Sequence, residues 1–125
     1  MTNKEIIQMS PLAIAFVGDA VHTLYLRDYF IKNQILKQAN YHKEVSKFCN
    51  AKSQAQSLDL IYEDLTEDEK EIVRRARNSK SKHCAKNFSE EDYKKATSFE
   101  ALIGYLYLLE SKDRLDYILK KIYNF

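Results

Sequence analysis

Two carboxylates stand at positions where a carboxylate is expensive. Asp19 lies in Phe16-Val17-Gly18-Asp19-Ala20-Val21, and Glu100 lies in Ala96-Thr97-Ser98-Phe99-Glu100-Ala101-Leu102-Ile103-Gly104-Tyr105-Leu106. A charge on an apolar helix face needs a partner, a proton or a metal. The chain has only two glycines, and each neighbours one of these acids: Gly18 directly precedes Asp19, and Gly104 follows Glu100 by four residues, on the same helical face. Glycine in a helix interior costs ~1 kcal/mol against alanine, so its placement here calls for a reason. The simplest is a close crossing of the two helices at their glycines, which brings Asp19 and Glu100 together. Two carboxylates so placed share a proton or hold a cation. Taken singly, each acid could equally be answered by a salt bridge or hydrogen bond from an Arg or Lys.

The elements that must position these acids are helices. From Pro11 to Phe30, Leu12, Phe16, Ala20 and Leu24, and Val17, Val21 and Leu24, recur at spacings of three and four. Ser10-Pro11 supplies an N-cap and a first-turn proline, and the helix runs to about Ile31. Lys32-Asn33-Gln34 reads as a polar break. Asn40 opens a second helix through Tyr41, Val45 and Phe48 to about Ser57, and a short third carries Leu58, Ile61 and Tyr62. Thr66-Glu67-Asp68-Glu69 fits a capping box for a fourth helix ending in Arg74, Arg75 and Arg77, cations at its negative end. Asn78 to Phe88 reads as a polar loop. Ser89 caps the helix holding Glu100, and Ser111 opens a last helix with Leu115, Ile118, Leu119 and Ile122 inward.

Composition agrees. The 125 residues are enough for one domain, 1–125, with a real core. Two glycines, one proline and no Asn-Gly or Asp-Gly turn leave no hairpin signal, so the fold class is all-α. No run approaches the ~20 apolar residues of a membrane span, and Met1 to Gln8 lacks the order of a signal peptide. Cys49 and Cys84 fall in no metal-type spacing and read as reduced thiols.

Net charge is only +2, yet charge is segregated. Glu63, Asp64, Glu67, Asp68, Glu69 and Glu71 form an acidic block. Arg74, Arg75, Arg77, Lys80, Lys82 and Lys86 follow with no acid among them. A basic loop with Ser and Asn suits phosphate contacts, although a solvated surface would have the same composition. Lys43, Lys47 and Lys52 form a second basic set. His22, one turn after Asp19, reads as a partly buried histidine. The tyrosines and phenylalanines at helical spacing read as core. No Ser-His-Asp or Cys-His set and no Gly-rich phosphate loop is present.

The two acid-bearing stretches resemble the signature elements of the ribonuclease III endonuclease domain: Phe16-Val17-Gly18-Asp19-Ala20-Val21 its Phe-Leu-Gly-Asp element, and Glu100-Ala101-Leu102-Ile103-Gly104 its Glu-Ala-Leu-Ile-Gly element. Their order in an all-helical chain of this length is a specific match. A chain ending at Phe125, after the helix that follows the second element, resembles the short form of that family, which lacks a double-stranded-RNA-binding domain. Ala51-Lys52-Ser53-Gln54-Ala55 and Arg74-Arg75-Ala76-Arg77-Asn78-Ser79-Lys80 also fit that form.

The resemblance implies a homodimeric, cytoplasmic endoribonuclease whose dimer cleft holds double-stranded RNA. Precursor 23S ribosomal RNA is the implied substrate, possible help from a ribosomal protein included. It implies Asp19 and Glu100 as catalytic and metal-binding residues, Mg²⁺ as the ion with Mn²⁺ able to substitute, and products with 5′-phosphate and 3′-hydroxyl ends. Arg74, Arg75, Arg77, Asn78, Lys80, Lys52 and Gln54 are the implied RNA contacts. The longer enzymes have four acids per site. Here Ala15 stands four residues before Asp19 and Thr97 three before Glu100, which leaves the number of ions open. The alternatives are a helical RNA-binding protein of the same fold that does not cut, and a carboxylate-bridged di-iron protein. Asp19-x-x-His22 hints at the latter, but no Glu-x-x-His accompanies it.

Overall fold

The computed structural model describes residues 1–33, 40–79 and 89–124. Among them are seven α-helices and no strand: α1 (Asn3–Ile7), α2 (Pro11–Asn33), α3 (Tyr41–Ser46), α4 (Ala51–Ile61), α5 (Glu67–Arg77), α6 (Glu90–Leu108) and α7 (Lys112–Tyr123), with a 3₁₀ turn at Tyr62–Asp64. The all-α expectation holds. No helix among the described residues is long and apolar enough to cross a membrane.

Helix α6 is the hub, packed on α2, α4 and α5 and touching α7. Phe99, Ala101, Leu102, Ile103, Gly104, Tyr105 and Leu106 are consecutive or nearly so and all buried, as expected of a helix surrounded on every side. Ser98 completes the fit, donating from Oγ to the Val73 carbonyl of α5 at 3.0 Å. The caps read from sequence are present at α5 and α6: Thr66 and Glu69 form a capping box, and the Ser89 side chain accepts from the Asp92 N–H. Ser111 precedes α7 without a side-chain cap.

Three expectations change. A first helix, α1, precedes the one anticipated at Pro11. It is a five-residue turn closed by a Thr2–Glu5 capping box and fixed by the fully buried Ile6. The second helix is broken at Lys47–Asn50, because Asn50 adopts extended backbone and its side chain accepts from the Ser53 N–H at 2.9 Å, capping a new helix. Helix α4 then runs unbroken through Leu58 to Ile61, absorbing the third. The apolar stripe Leu12, Phe16, Ala20, Leu24 does not face the core. Phe16 is 81% exposed and Leu24 64%. The face of α2 that packs inward is Ile14, Ala15, Gly18, Val21, His22, Leu26 and Phe30. Helix α2 thus carries two apolar faces, and the fold covers one.

The acidic block is also put to structural use. Glu69 is only 4% exposed and receives a two-pronged pairing from Arg114 of α7, Nε to Oε2 at 2.9 Å and Nη2 to Oε1 at 2.7 Å. Burial alone would raise the Glu69 pKa. The hydrogen bonds from Arg114 and the Thr66 backbone outweigh it and hold the group below its ordinary value.

Candidate active site

The site is built where α2 crosses α6. A Cβ on Gly18 would lie 1.7 Å from the Glu100 carbonyl oxygen, and one on Gly104 would lie 2.1 Å from the Ile14 carbonyl oxygen. Both contacts are to backbone, which cannot swing away. Each glycine is therefore required by its partner helix. The residue after Gly18 and the residue whose carbonyl touches it are the two acids, so the crossing delivers Asp19 and Glu100 to one place.

Asp19 is exposed and Glu100 is partly buried. Burial first, then a hydrogen bond to Asp19 and its negative charge, push the Glu100 carboxyl from 4.5 to about 8. Neither acid is in an ion pair with any of the described residues. The salt-bridge reading of these acids is not what the structure places there. Near neutral pH Glu100 keeps its proton, the alternative to a bound cation.

The donor set suits a hard cation. Two carboxylates face one another on the surface side of the crossing. Thr97, one turn before Glu100, donates its hydroxyl proton to the Tyr93 carbonyl at 3.0 Å, leaving oxygen lone pairs for another partner. Among the described residues no group of three or more His, Cys, Asp or Glu gathers to hold an ion. A cation held by two carboxylates must keep water in its shell. That is the habit of Mg²⁺, which dehydrates reluctantly and is commonly bound through one or two carboxylates.

His22 supports the site from beneath. It is fully buried, with Nε2 at 2.5 Å from the Tyr123 hydroxyl and Nδ1 at 3.5 Å from Gln54 Nε2. Phe99 packs edge-on against its ring. Desolvation lowers its pKa to about 4, against a smaller raising effect of Asp19. It is a neutral tie between α2, α4 and the end of α7. With both nitrogens engaged it is no metal ligand, which removes the ground for the di-iron alternative.

The residues expected to meet RNA are not all placed alike. Arg74 is exposed but bonded to Glu71, with Nη2 to Oε1 at 2.5 Å. Arg77 forms a two-pronged pair with Glu91, at 2.6 and 2.8 Å. Asn78 and Lys52 are exposed. Lys80 lies outside the described residues. Two expectations are corrected. Gln54 is 3% exposed and points at His22, so the second position of the α4 pair is a core residue. Arg75 turns inward, its Nη2 donating to the Met9 carbonyl at 3.3 Å and its Nη1 buried, so it ties α5 to the turn before α2.

Thr23 also stands beside Asp19, with Cys49 against it and Arg27 a further turn along α2. Thr23 donates to the Asp19 carbonyl at 2.9 Å and its Oγ1 lies 3.8 Å from Cys49 Sγ. The four-residue spacing Asp19, Thr23, Arg27 was the available signal.

Comparison with known proteins follows the same lines. The model of the Ribonuclease III domain matches residues 12–111. The chain is 44% identical over 120 residues to the Mini-ribonuclease 3 of Thermoanaerobacter sp. (strain X514), covering 96% of this chain and 84% of that protein. It is 41% identical over 124 residues to the Mini-ribonuclease 3 of Clostridium tetani (strain Massachusetts / E88), covering 98% and 82%. A Fusobacterium nucleatum protein solved by X-ray crystallography superposes with a TM-score of 0.82 at 34% identity, covering 89% of this chain and 90% of that one.

Proposed function

The chain belongs to the ribonuclease III domain family, a family of ribonucleases, and from that premise we propose that it is a divalent-metal-dependent endoribonuclease that cuts double-stranded RNA. The observation that carries this is the meeting of Asp19 and Glu100 at a crossing only glycine permits, with no cation from the described residues between them.

Asp19 and Glu100 would hold Mg²⁺, with Mn²⁺ able to replace it, and Thr97 stands one turn from Glu100 as a neutral oxygen. When bound, the ion supplies a water acidic enough to attack a phosphodiester near neutral pH and offsets charge on the leaving 3′ oxygen. The products are then a 5′-phosphate and a 3′-hydroxyl. Glu100 must surrender its proton for the ion to bind, and the fixed backbone of the crossing keeps the two carboxylates aligned when it does. His22, tied to Tyr123 and Gln54, holds the turn of α2 that bears Asp19. Arg74, Arg77, Asn78, Lys80 and Lys52 grip the duplex, reading A-form shape and 2′-hydroxyls and not sequence. Arg74 and Arg77 must exchange Glu71 and Glu91 for phosphates to do so.

The functional unit is a homodimer. The exposed stripe Leu12, Phe16, Ala20 and Leu24 supports it, since a soluble monomer seldom leaves so continuous an apolar face uncovered. Precursor 23S ribosomal RNA in the cytoplasm, with a bound ribosomal protein as possible helper, is proposed as the natural setting on the resemblance to the short-form enzymes.

The rival, a protein of this fold that binds RNA without cutting it, draws on Ala15 and Thr97 standing where the longer enzymes have acids. Incubation with a long RNA duplex, with and without Mg²⁺, separates the two on a gel. Wild type should cut only with the ion, and Asp19→Asn should bind the duplex but leave it whole. Binding without cutting by wild type would establish the rival.

A further inference from the structure

Past Asp19, the same face of α2 continues through Thr23 to Arg27, eight residues and about 12 Å on. There it meets α3 and forms a groove of about 540 Å³ lined by Thr23, Arg27, His42, Lys43, Ser46 and Cys49. No ion pair among the described residues neutralises the charge in this groove. The two nearest acids in sequence are already taken, Asp28 by Lys32 at 3.0 Å and Glu44 by Lys47 at 2.8 Å. Arg27 and Lys43 form no ion pair with the described residues. This sets them apart from Arg74 and Arg77, each of which has an acid in hand.

Thr23 joins the groove to the acid site, its hydroxyl donating to the Asp19 carbonyl at 2.9 Å and lying 3.8 Å from Cys49 Sγ. Burial raises the Cys49 thiol and the Thr23 hydrogen bond opposes the rise; Asp19 and Glu100 add smaller raising effects and Arg27 a lowering one. One side chain therefore feels both carboxylates and the guanidinium. Among the described residues no salt bridge joins Arg27 or Lys43 to the two acids. Thr23, Ser46 and His42 line the groove alongside Arg27 and Lys43.

Resting on the nuclease reading above, we propose that this groove between the second half of α2 and α3 is a phosphate subsite, in which Arg27 and Lys43 hold a backbone phosphate of the RNA strand next to the one being cut. The distance from Asp19 places Arg27 on a different phosphate from the scissile one. The contact is sequence-independent and fixes how far along the strand the duplex sits, while the acids act on the neighbouring linkage.

The test is a salt titration of duplex binding in the Asp19→Asn protein, which does not cut. Adding Arg27→Ala and Lys43→Ala should make the plot of log affinity against log salt shallower by about one, the share of the single phosphate the pair holds. Affinity at fixed salt should fall about tenfold or more. Lys32→Ala, removing a lysine already paired with Asp28, should move neither, and Arg27→Lys should keep most of the slope. An unchanged slope in the double variant, with Asp19→Asn still binding, overturns the subsite and leaves the nuclease reading intact. A variant that changes sedimentation instead of salt slope also overturns it, since the groove is then a subunit contact. Failure of Asp19→Asn and wild type alike to bind any duplex takes down both.

Discussion

The crossing of α2 with α6 and the C-terminal end of α5 carry the two halves of the proposed activity, and they are built on opposite principles. At the crossing, position is fixed by backbone: Gly18 and Gly104 leave no room for a methyl group, and the acids go where the helices go. At the end of α5, position is set by exchangeable pairs on the surface, Arg74 with Glu71 and Arg77 with Glu91. Chemistry on a phosphodiester tolerates little misplacement, whereas gripping a backbone needs only charge within reach. The comparison predicts that small changes at the crossing have large effects, and that larger changes at the end of α5 have small ones.

Gly18→Ala should break the crossing most severely. Overpacking a well-filled interface costs ~1–3 kcal/mol and occasionally more, and a contact with backbone at 1.7 Å places this substitution at the upper end. Urea denaturation should show a loss of a few kcal/mol, with duplex cutting abolished even where the protein folds. Gly104→Ala should follow closely. Wild-type stability in either variant would mean that the helices separate easily and that the acids are not held by backbone.

Glu100→Gln sharpens the comparison by removing the charge and keeping the shape. Cutting should fall by at least about a thousandfold, while the metal-free protein should become more stable near pH 8. The folded pKa of Glu100, about 8, lies above its ordinary 4.5. A group raised in this way stabilises fully below its unfolded value, and the contribution is lost as pH rises through the folded value. Metal-free wild type should therefore lose stability from pH 6.5 to 8, a window in which folded His22 is neutral and its opposing contribution fades as the unfolded-state imidazole gives up its proton. The Gln variant should not lose it, and Mg²⁺ should restore it in wild type. Thermal melts in chelator across that window decide the matter; a flat wild-type curve would mean that the carboxylates do not oppose one another.

How much of this could be read from sequence differs between the two regions for a physical reason. The crossing was legible because it breaks local rules: Gly and a lone acid inside apolar helices can be reconciled only by a close neighbour. The caps at Thr66 and Ser89 were legible because capping is local. The inward face of α2 was not, because Leu12, Phe16 and Leu24 have the same spacing as a core stripe, and periodicity alone does not say which of two apolar faces the chain covers. The resemblance implies Gln54 and Arg75 as RNA contacts, but a motif match does not say which way a side chain turns. Their partners, His22 and the Met9 carbonyl, lie far away in sequence. Arg27 is not legible in the same way, because its lack of an ion-pair partner among the described residues is a property of the folded neighbourhood.

Tyr123→Phe tests the support beneath the crossing. It strips the fully buried His22 of the 2.5 Å partner of its Nε2, and an unsatisfied buried nitrogen costs ~1–3 kcal/mol. The loss should appear in denaturation, with a milder loss of cutting. An accompanying NMR titration should find the His22 ring still neutral at pH 5, since its folded pKa is about 4. As a depressed base, it should withdraw stability as pH falls from 6.5 towards 4. A ring that charges near pH 6.5 would place His22 in water and detach it from the site.

The smallest expected effect on stability comes from Glu91→Gln, and its direction on binding is opposite to that of the other substitutions. Arg77 and Glu91 meet at 2.6 Å, but both are substantially exposed, and exposed pairs of this kind contribute little to folding. The melting temperature should barely move. Losing the carboxylate nevertheless frees the Arg77 guanidinium, which otherwise must abandon Glu91 before it can hold a phosphate. Duplex affinity should therefore rise severalfold, most clearly at low salt where surface charges are least screened, and Arg77→Ala should cancel the gain. If Glu91→Gln leaves affinity unchanged while Arg77→Ala still lowers it, Arg77 meets RNA without leaving its partner. The end of α5 would then be as preset as the crossing, and the contrast between the two regions would fail.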